Sequence, residues 1–120
     1  MAYTFQVAVD CADPHGLADW WAEALGWQVE PSDEAFIRTM VDAGYATDAD
    51  TTTHHGVLVW REGQAINHPE GSAPRMLFQL VPEAKTVKNR MHLDIRVGEE
   101  HIEQEVARLT AAGARELHRG

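Results

Sequence analysis

One arrangement recurs in the sequence and limits what the chain can fold into. Strand, acidic turn, amphipathic helix, glycine and strand run in that order through residues 5–30 and again through 91–118. Gln6 and His92 hold equivalent places 86 positions apart, and Gly26 and Gly113 lie 87 apart, so the register drifts by one residue. A sheet with one apolar face must bury it, and a helix of matching pattern is the nearest cover. Two such β-α-β openings predict an α+β fold whose sheets curl around a pocket.

Residues 3–11 alternate as a strand, with Tyr3, Phe5, Val7 and Val9 on one face and Thr4, Gln6, Ala8 and Asp10 on the other. Asp13 caps a helix that Pro14 can open without losing an amide bond, Leu17, Trp20, Trp21 and Leu25 recur at helical spacing, and Gly26 stops it. Residues 27–30 form a short strand, and 33–43 a second helix with Phe36, Ile37, Met40 and Val41 inward. The threonine-rich 46–55 stretch has no period and reads as a surface loop, followed by a strand at 56–60, a turn at 61–64 and a brief return at 65–67. Residues 69–74 form another loop. In the strand at 75–81, Met76, Phe78 and Leu80 share one face and Arg75, Leu77, Gln79 and Val81 the other. After a turn at 82–89, the strand at 90–97 sets Met91, Leu93, Ile95 and Val97 against His92, Asp94 and Arg96. Gly98-Glu99-Glu100 then opens an acidic-ended helix carrying Ile102, Val106 and Leu109, and a last strand starts at 115–118.

A chain of 120 residues suits one domain, with module one at about 3–81 and module two at about 90–120. Nineteen acidic against ten basic residues give a charge of −9, which argues against nucleic acid and anionic membrane as partners. Cys11 is the single cysteine, so no internal disulfide forms, in keeping with a reducing compartment. The opening MAYTFQVAVD has no basic and apolar leader pattern, and no apolar run reaches the roughly 18 residues of a membrane span. The expectation is a cytoplasmic protein.

The first unit, VAVDCADPHGLADWWAEALGWQVE, resembles the opening module of the vicinal-oxygen-chelate superfamily, which includes glyoxalase I, bleomycin-resistance proteins and extradiol dioxygenases. Trp20-Trp21 and Leu25-Gly26 stand where that module has paired aromatics and a leucine-glycine. The stretch PRMLFQLVPEAKTVKNRMHLDIRV is similar to the glyoxalase-like subgroup, and the resemblance covers essentially the whole chain. It implies paired β-α-β-β-β modules with curled sheets around a cavity. It also implies a divalent metal held by residues of each module's first and last strands, which fall here on Gln6, His92 and Gln79. The fourth ligand, normally a glutamate, would come from a final strand that this sequence lacks. The second module is therefore expected to be truncated at its C-terminus. Either the chain is a fragment, the favoured expectation, or a partner chain completes the sheet as a homodimer.

Gln6, Gln79 and His92 lie on the polar sides of their strands, and with Trp60 they are the expected pocket-lining residues. The bland reading is that they hydrogen-bond one another or water in a wet pocket. The sharper one is that they ligate a cation, although amide oxygens without a carboxylate are weak ligands. His54-His55 read as solvated, because neighbours on an extended chain point opposite ways. His15, His68, His101 and His118 have no evident partner. Asp10 and Asp94 are expected in ion pairs with a strand neighbour such as Arg96, and Cys11 as a small buried apolar group. Lys85, Lys88 and Arg90 read as a solvated turn, with an anion anchor as the sharper alternative. Nucleotide, esterase and zinc-protease motifs are missing from the sequence.

Two functions from different classes follow. One is a glyoxalase-like binder that sequesters a small molecule in a sheet-lined pocket; the other is a metal-dependent lyase or dioxygenase of the vicinal-oxygen-chelate type. An interaction module whose sheet edge recruits a partner is a third reading.

Overall fold

A computed structural model describes residues 1–117, which fall into two compact units, Met1–Thr86 and a second that begins at Val87. The first contains six strands and two helices: β1 (Val7–Cys11), α1 (Pro14–Leu25), β2 (Gln28–Val29), α2 (Glu34–Asp42), β3 (Thr51–His54), β4 (Val57–Trp60), β5 (Gly63–Asn67) and β6 (Met76–Leu80). Four of the strands make one sheet in the order β1-β6-β5-β2, with β1 parallel to β6 and the other pairs antiparallel. Strands β3 and β4 form a separate antiparallel hairpin.

The helix α1 forms where the sequence predicts it. The Asp13 carboxylate accepts from the Gly16 amide at 3.1 Å, Pro14 opens the helix, and Gly26 closes it at φ 70°, a conformation glycine adopts without steric cost. Its inner face is made of small residues. Ala18 and Ala22 are buried and let the helix lie close to the sheet, where Ile66, Met76 and Phe78 complete the core. Val7, Val9, Cys11, Leu17, Trp21, Leu25, Trp27 and Val29 pack around this cluster. The opposite sheet face, including Gly63, Ala65, Leu77 and Gln79, faces away from that core and lines a cavity. The second layer of the unit is α2 with the β3–β4 hairpin. Asp33 caps α2 through the Phe36 amide at 3.0 Å, and Glu34 accepts from the Leu58 amide at 2.7 Å, tying helix to hairpin.

Several sequence expectations need correction. The first strand begins at Val7, not Tyr3, because its partner β6 begins at Met76; Tyr3 and Phe5 stay exposed with no strand beside them. The 46–55 stretch is not a plain loop. Thr47 and Asp50 bracket a short 3-10 turn, and Thr51–His54 then pair with Val57–Trp60. Thr51 is buried and Thr53 exposed, so the β-branched threonines are strand material that is covered only at its first residue.

In the second unit the helix α3 (Ile102–Ala111) forms as expected after a 3-10 turn at Glu99–His101. Residues 90–97 alternate well but do not form a strand. A strand exists only through hydrogen bonds to a neighbour, and these residues have no pairing partner among the described residues. Met91 is 87% exposed, and Leu93 and Ile95 are also open to solvent. Residues 115–117 are likewise without strand structure, and His118 lies outside the described residues. No helix among the described residues is long and apolar enough to cross a membrane.

Candidate functional site

The first unit contains a cavity of about 700 Å³ between the open sheet face and the α2–hairpin layer. Sheet strands supply Gly63, Ala65, Leu77 and Gln79; the hairpin supplies Val59 and Trp60; α2 supplies Phe36 and Ile37. The alternation of β5 and β6 explains this split. Residues that do not face α1 face the cavity, so a strand covered on one side by a helix presents its other side to a ligand space.

At one part of the wall Arg75 and Glu30 form a two-point ion pair. Arg75 Nη2 donates to Glu30 Oε1 at 2.9 Å and its Nε donates to Oε2, while Asn67 Nδ2 also donates to Oε2 at 2.7 Å. The Arg75 hydrogen bonds hold the Glu30 carboxyl below its ordinary 4.5; burial opposes this, and Asn67 and the guanidinium charge add to it. A carboxyl that binds its proton less readily when folded contributes stability that is complete above the unfolded value and lost as the pH falls through the folded one. Acidification below 4.5 is therefore expected to lower the urea midpoint of the native chain more steeply than that of Glu30→Gln. Parallel decline of the two midpoints would contradict this assignment.

The four residues expected from the sequence are distributed as follows. Trp60 and Gln79 both line the cavity. Gln6 shares a sheet face with Gln79, but the parallel register sets Asp10 beside Gln79 and leaves Gln6 four residues back, roughly 13 Å along the strand. Its Oε1 accepts from Arg75 Nη1 at 3.1 Å. His92 is exposed in the second unit. Of the metal positions implied by the resemblance, the two in the first unit are Gln6 and Gln79, which lie apart along the β1–β6 pair. A cation at Gln6 would meet an amide oxygen already facing a guanidinium, with no carboxylate supplied by Gln6 or Gln79.

Other expectations resolve similarly. His15 is not without a partner: it is 5% exposed and its Nε2 donates to the Trp60 carbonyl at 2.7 Å. Asp94 forms no ion pair with Arg96 among the described residues, and Asp10 forms none within the first unit. Cys11 is half-buried against the core; burial raises its thiol pKa, which disfavours the nucleophilic thiolate. Lys85, Lys88 and Arg90 are exposed.

His54 and His55 are the largest departure. Both Nε2 atoms meet Asp19 Oδ2, at 2.6 and 2.7 Å. Neighbours diverge only on an extended chain, and here the chain turns: His55 has φ 51° and Gly56 φ 77°, the two positive values of a tight hairpin turn between the paired His54 and Val57. Burial works against the charged Asp19, yet its hydrogen bonds with the two histidines and their charges prevail and hold the carboxyl below its ordinary 3.8. Histidine followed by glycine between two β-rich runs was the available sequence signal.

The sequence profile of the glyoxalase-like domain matches residues 6–120, nearly the whole chain. No curated protein and no solved structure gives a significant match. The profile agrees with the α+β architecture and with the resemblance read from residues 7–30 and 74–97. The chain thus belongs to the glyoxalase-like domain family, consistent with the vicinal-oxygen-chelate superfamily.

Proposed function

We propose that the first unit is a small-molecule binder that holds a flat, amphipathic ligand in its sheet-lined cavity. The observation that carries this reading is the cavity itself. Its volume of about 700 Å³ falls in the ordinary range for ligand sites, and its wall combines Trp60, Phe36 and Leu77 with the polar Gln79 and the Glu30–Arg75 pair. Apolar walls supply the driving force for binding, and a few fixed polar groups orient the ligand. The Glu30–Arg75 pair offers both signs of charge, with each partner already compensated, so either end can meet a polar substituent without leaving a bare ion.

The test is titration with anilinonaphthalene sulfonate, a flat aromatic anion whose emission rises in apolar surroundings. Saturable enhancement with one site per chain is expected, together with a higher melting temperature. Absence of a saturable response would remove the proposal.

A second copy of the chain is the macromolecular partner in this reading. Strands β1 and β2 are sheet edges, and residues 90–97 have strand-like alternation with Met91, Leu93 and Ile95 exposed. Unpaired edges and apolar segments favour association. Light scattering is expected to return a dimer mass, and a monomer at all concentrations would refute that part.

A further inference from the structure

The geometry points to a Zn²⁺ site formed by Asp19, His54 and His55, where α1 meets the turn of the β3–β4 hairpin. One ligand atom from each residue lies within 4.8 Å of the others, and both imidazole Nε2 atoms already converge on a single carboxylate oxygen. Two imidazoles and a carboxylate match a borderline divalent cation; oxygen-seeking Mg²⁺ and Ca²⁺ prefer all-oxygen sets.

The arrangement needs little adjustment to accept the ion. Tetrahedral bonds of zinc to nitrogen and oxygen place ligand atoms about 3.4 Å apart. The present separations of 2.6 and 2.7 Å therefore need to open by less than about 1 Å. His55, with its side chain 75% exposed, has room to move, and Asp19 and His54 are anchored on regular elements. Each ring would ligate through a bare Nε2 and keep a proton on Nδ1, so the Nε2 protons that face Asp19 Oδ2 must move to Nδ1 or be released to water as the ion binds. Three protein ligands leave a fourth position to water.

A third imidazole lies beside the site. The ring of His15, one helical turn before Asp19, lies 5.1 Å from that of His54. Its Nε2 donates to the Trp60 carbonyl, and its Nδ1 is buried with no hydrogen-bond partner. The site is independent of the small-molecule reading, because none of its three ligands lines the cavity.

The experiment is calorimetric titration of the full-length chain, freed of metal by chelator, with zinc sulfate. One ion per chain is expected, and Co²⁺ in its place should give visible ligand-field bands. His55→Asn should weaken zinc binding at least about tenfold, the loss seen when even an outer partner of a metal ligand is removed. Asparagine tolerates the positive φ at this position, so the turn is retained. Asp19→Asn should act likewise, while His101→Ala, in the second unit, should leave binding unchanged. No zinc uptake by the native chain, or full affinity kept by either His55→Asn or Asp19→Asn, would overturn the site.

Discussion

Phe78→Ala is expected to destabilise the first unit by about 3–5 kcal/mol, whereas Leu80→Ala, two residues along the same strand, should cost well under half as much. Both residues fall on one face of β6 by simple alternation, so their sequence positions suggest equal weight. Burial separates them. Phe78 is fully enclosed by Ala18, Ala22, Ile66 and Met76, and Leu80 at the strand end is 40% exposed. Removing the ring leaves a void that small neighbours cannot fill: the alanines of α1 have no longer side chain to swing inward, and the β1-β6-β5 pairing resists collapse. Removing Leu80 leaves a surface indentation that water occupies. Domains are stable by about 5–15 kcal/mol, so the first change takes a large share of the total. Urea denaturation is the measurement, with a lower midpoint and an unchanged slope for both variants. Equal losses would mean that α1 does not seat on β6 as described.

Leu77→Trp is expected to abolish anilinonaphthalene sulfonate binding while leaving the fold in place. Leu77 sits between Met76 and Phe78 but points to the cavity, so a larger ring there enters empty space and does not press on the core. A ligand held at a hundred times its Kd adds about 2.7 kcal/mol to the unfolding free energy, and the variant should lose that increment entirely. Its ligand-free melting temperature should change little, since the face it occupies is open. The combination distinguishes filling of the cavity from damage to the protein. Retained binding in a folded Leu77→Trp variant would place the dye elsewhere and withdraw the cavity from consideration.

These two expectations turn on adjacent residues of one strand, and they show how far the sequence could be read. Alternation alone assigns Met76, Phe78 and Leu77 to their faces, and an aspartate, a proline and a glycine bound α1. Local signals sufficed there because the forces that set them act within a few residues: a cap satisfies the next turn's amides, and a pleat alternates side chains regardless of context. The same reasoning misplaced Thr51–His54, whose strand exists by virtue of Val57–Trp60, and residues 90–97, which alternate but have no partner to pair with among the described residues. Alternation states which face a strand would show; it does not supply the neighbour.

Sequence by itself determined the family, the helices, the inward face of β6 and the acidic balance that argues against nucleic acid. Only the tertiary structure decided which polar groups meet. Alternation puts Gln6 and Gln79 on the polar sides of their strands, yet strand register sets Gln6 beside Arg75, and Arg75 reaches Glu30 from 45 positions away. Asp19 meets His54 and His55 across 35 and 36 positions because a turn with two positive φ values carries both rings to one carboxylate. Contacts of that kind depend on register and turn geometry, where a shift of one residue sends each side chain to the other face, and no local pattern records them.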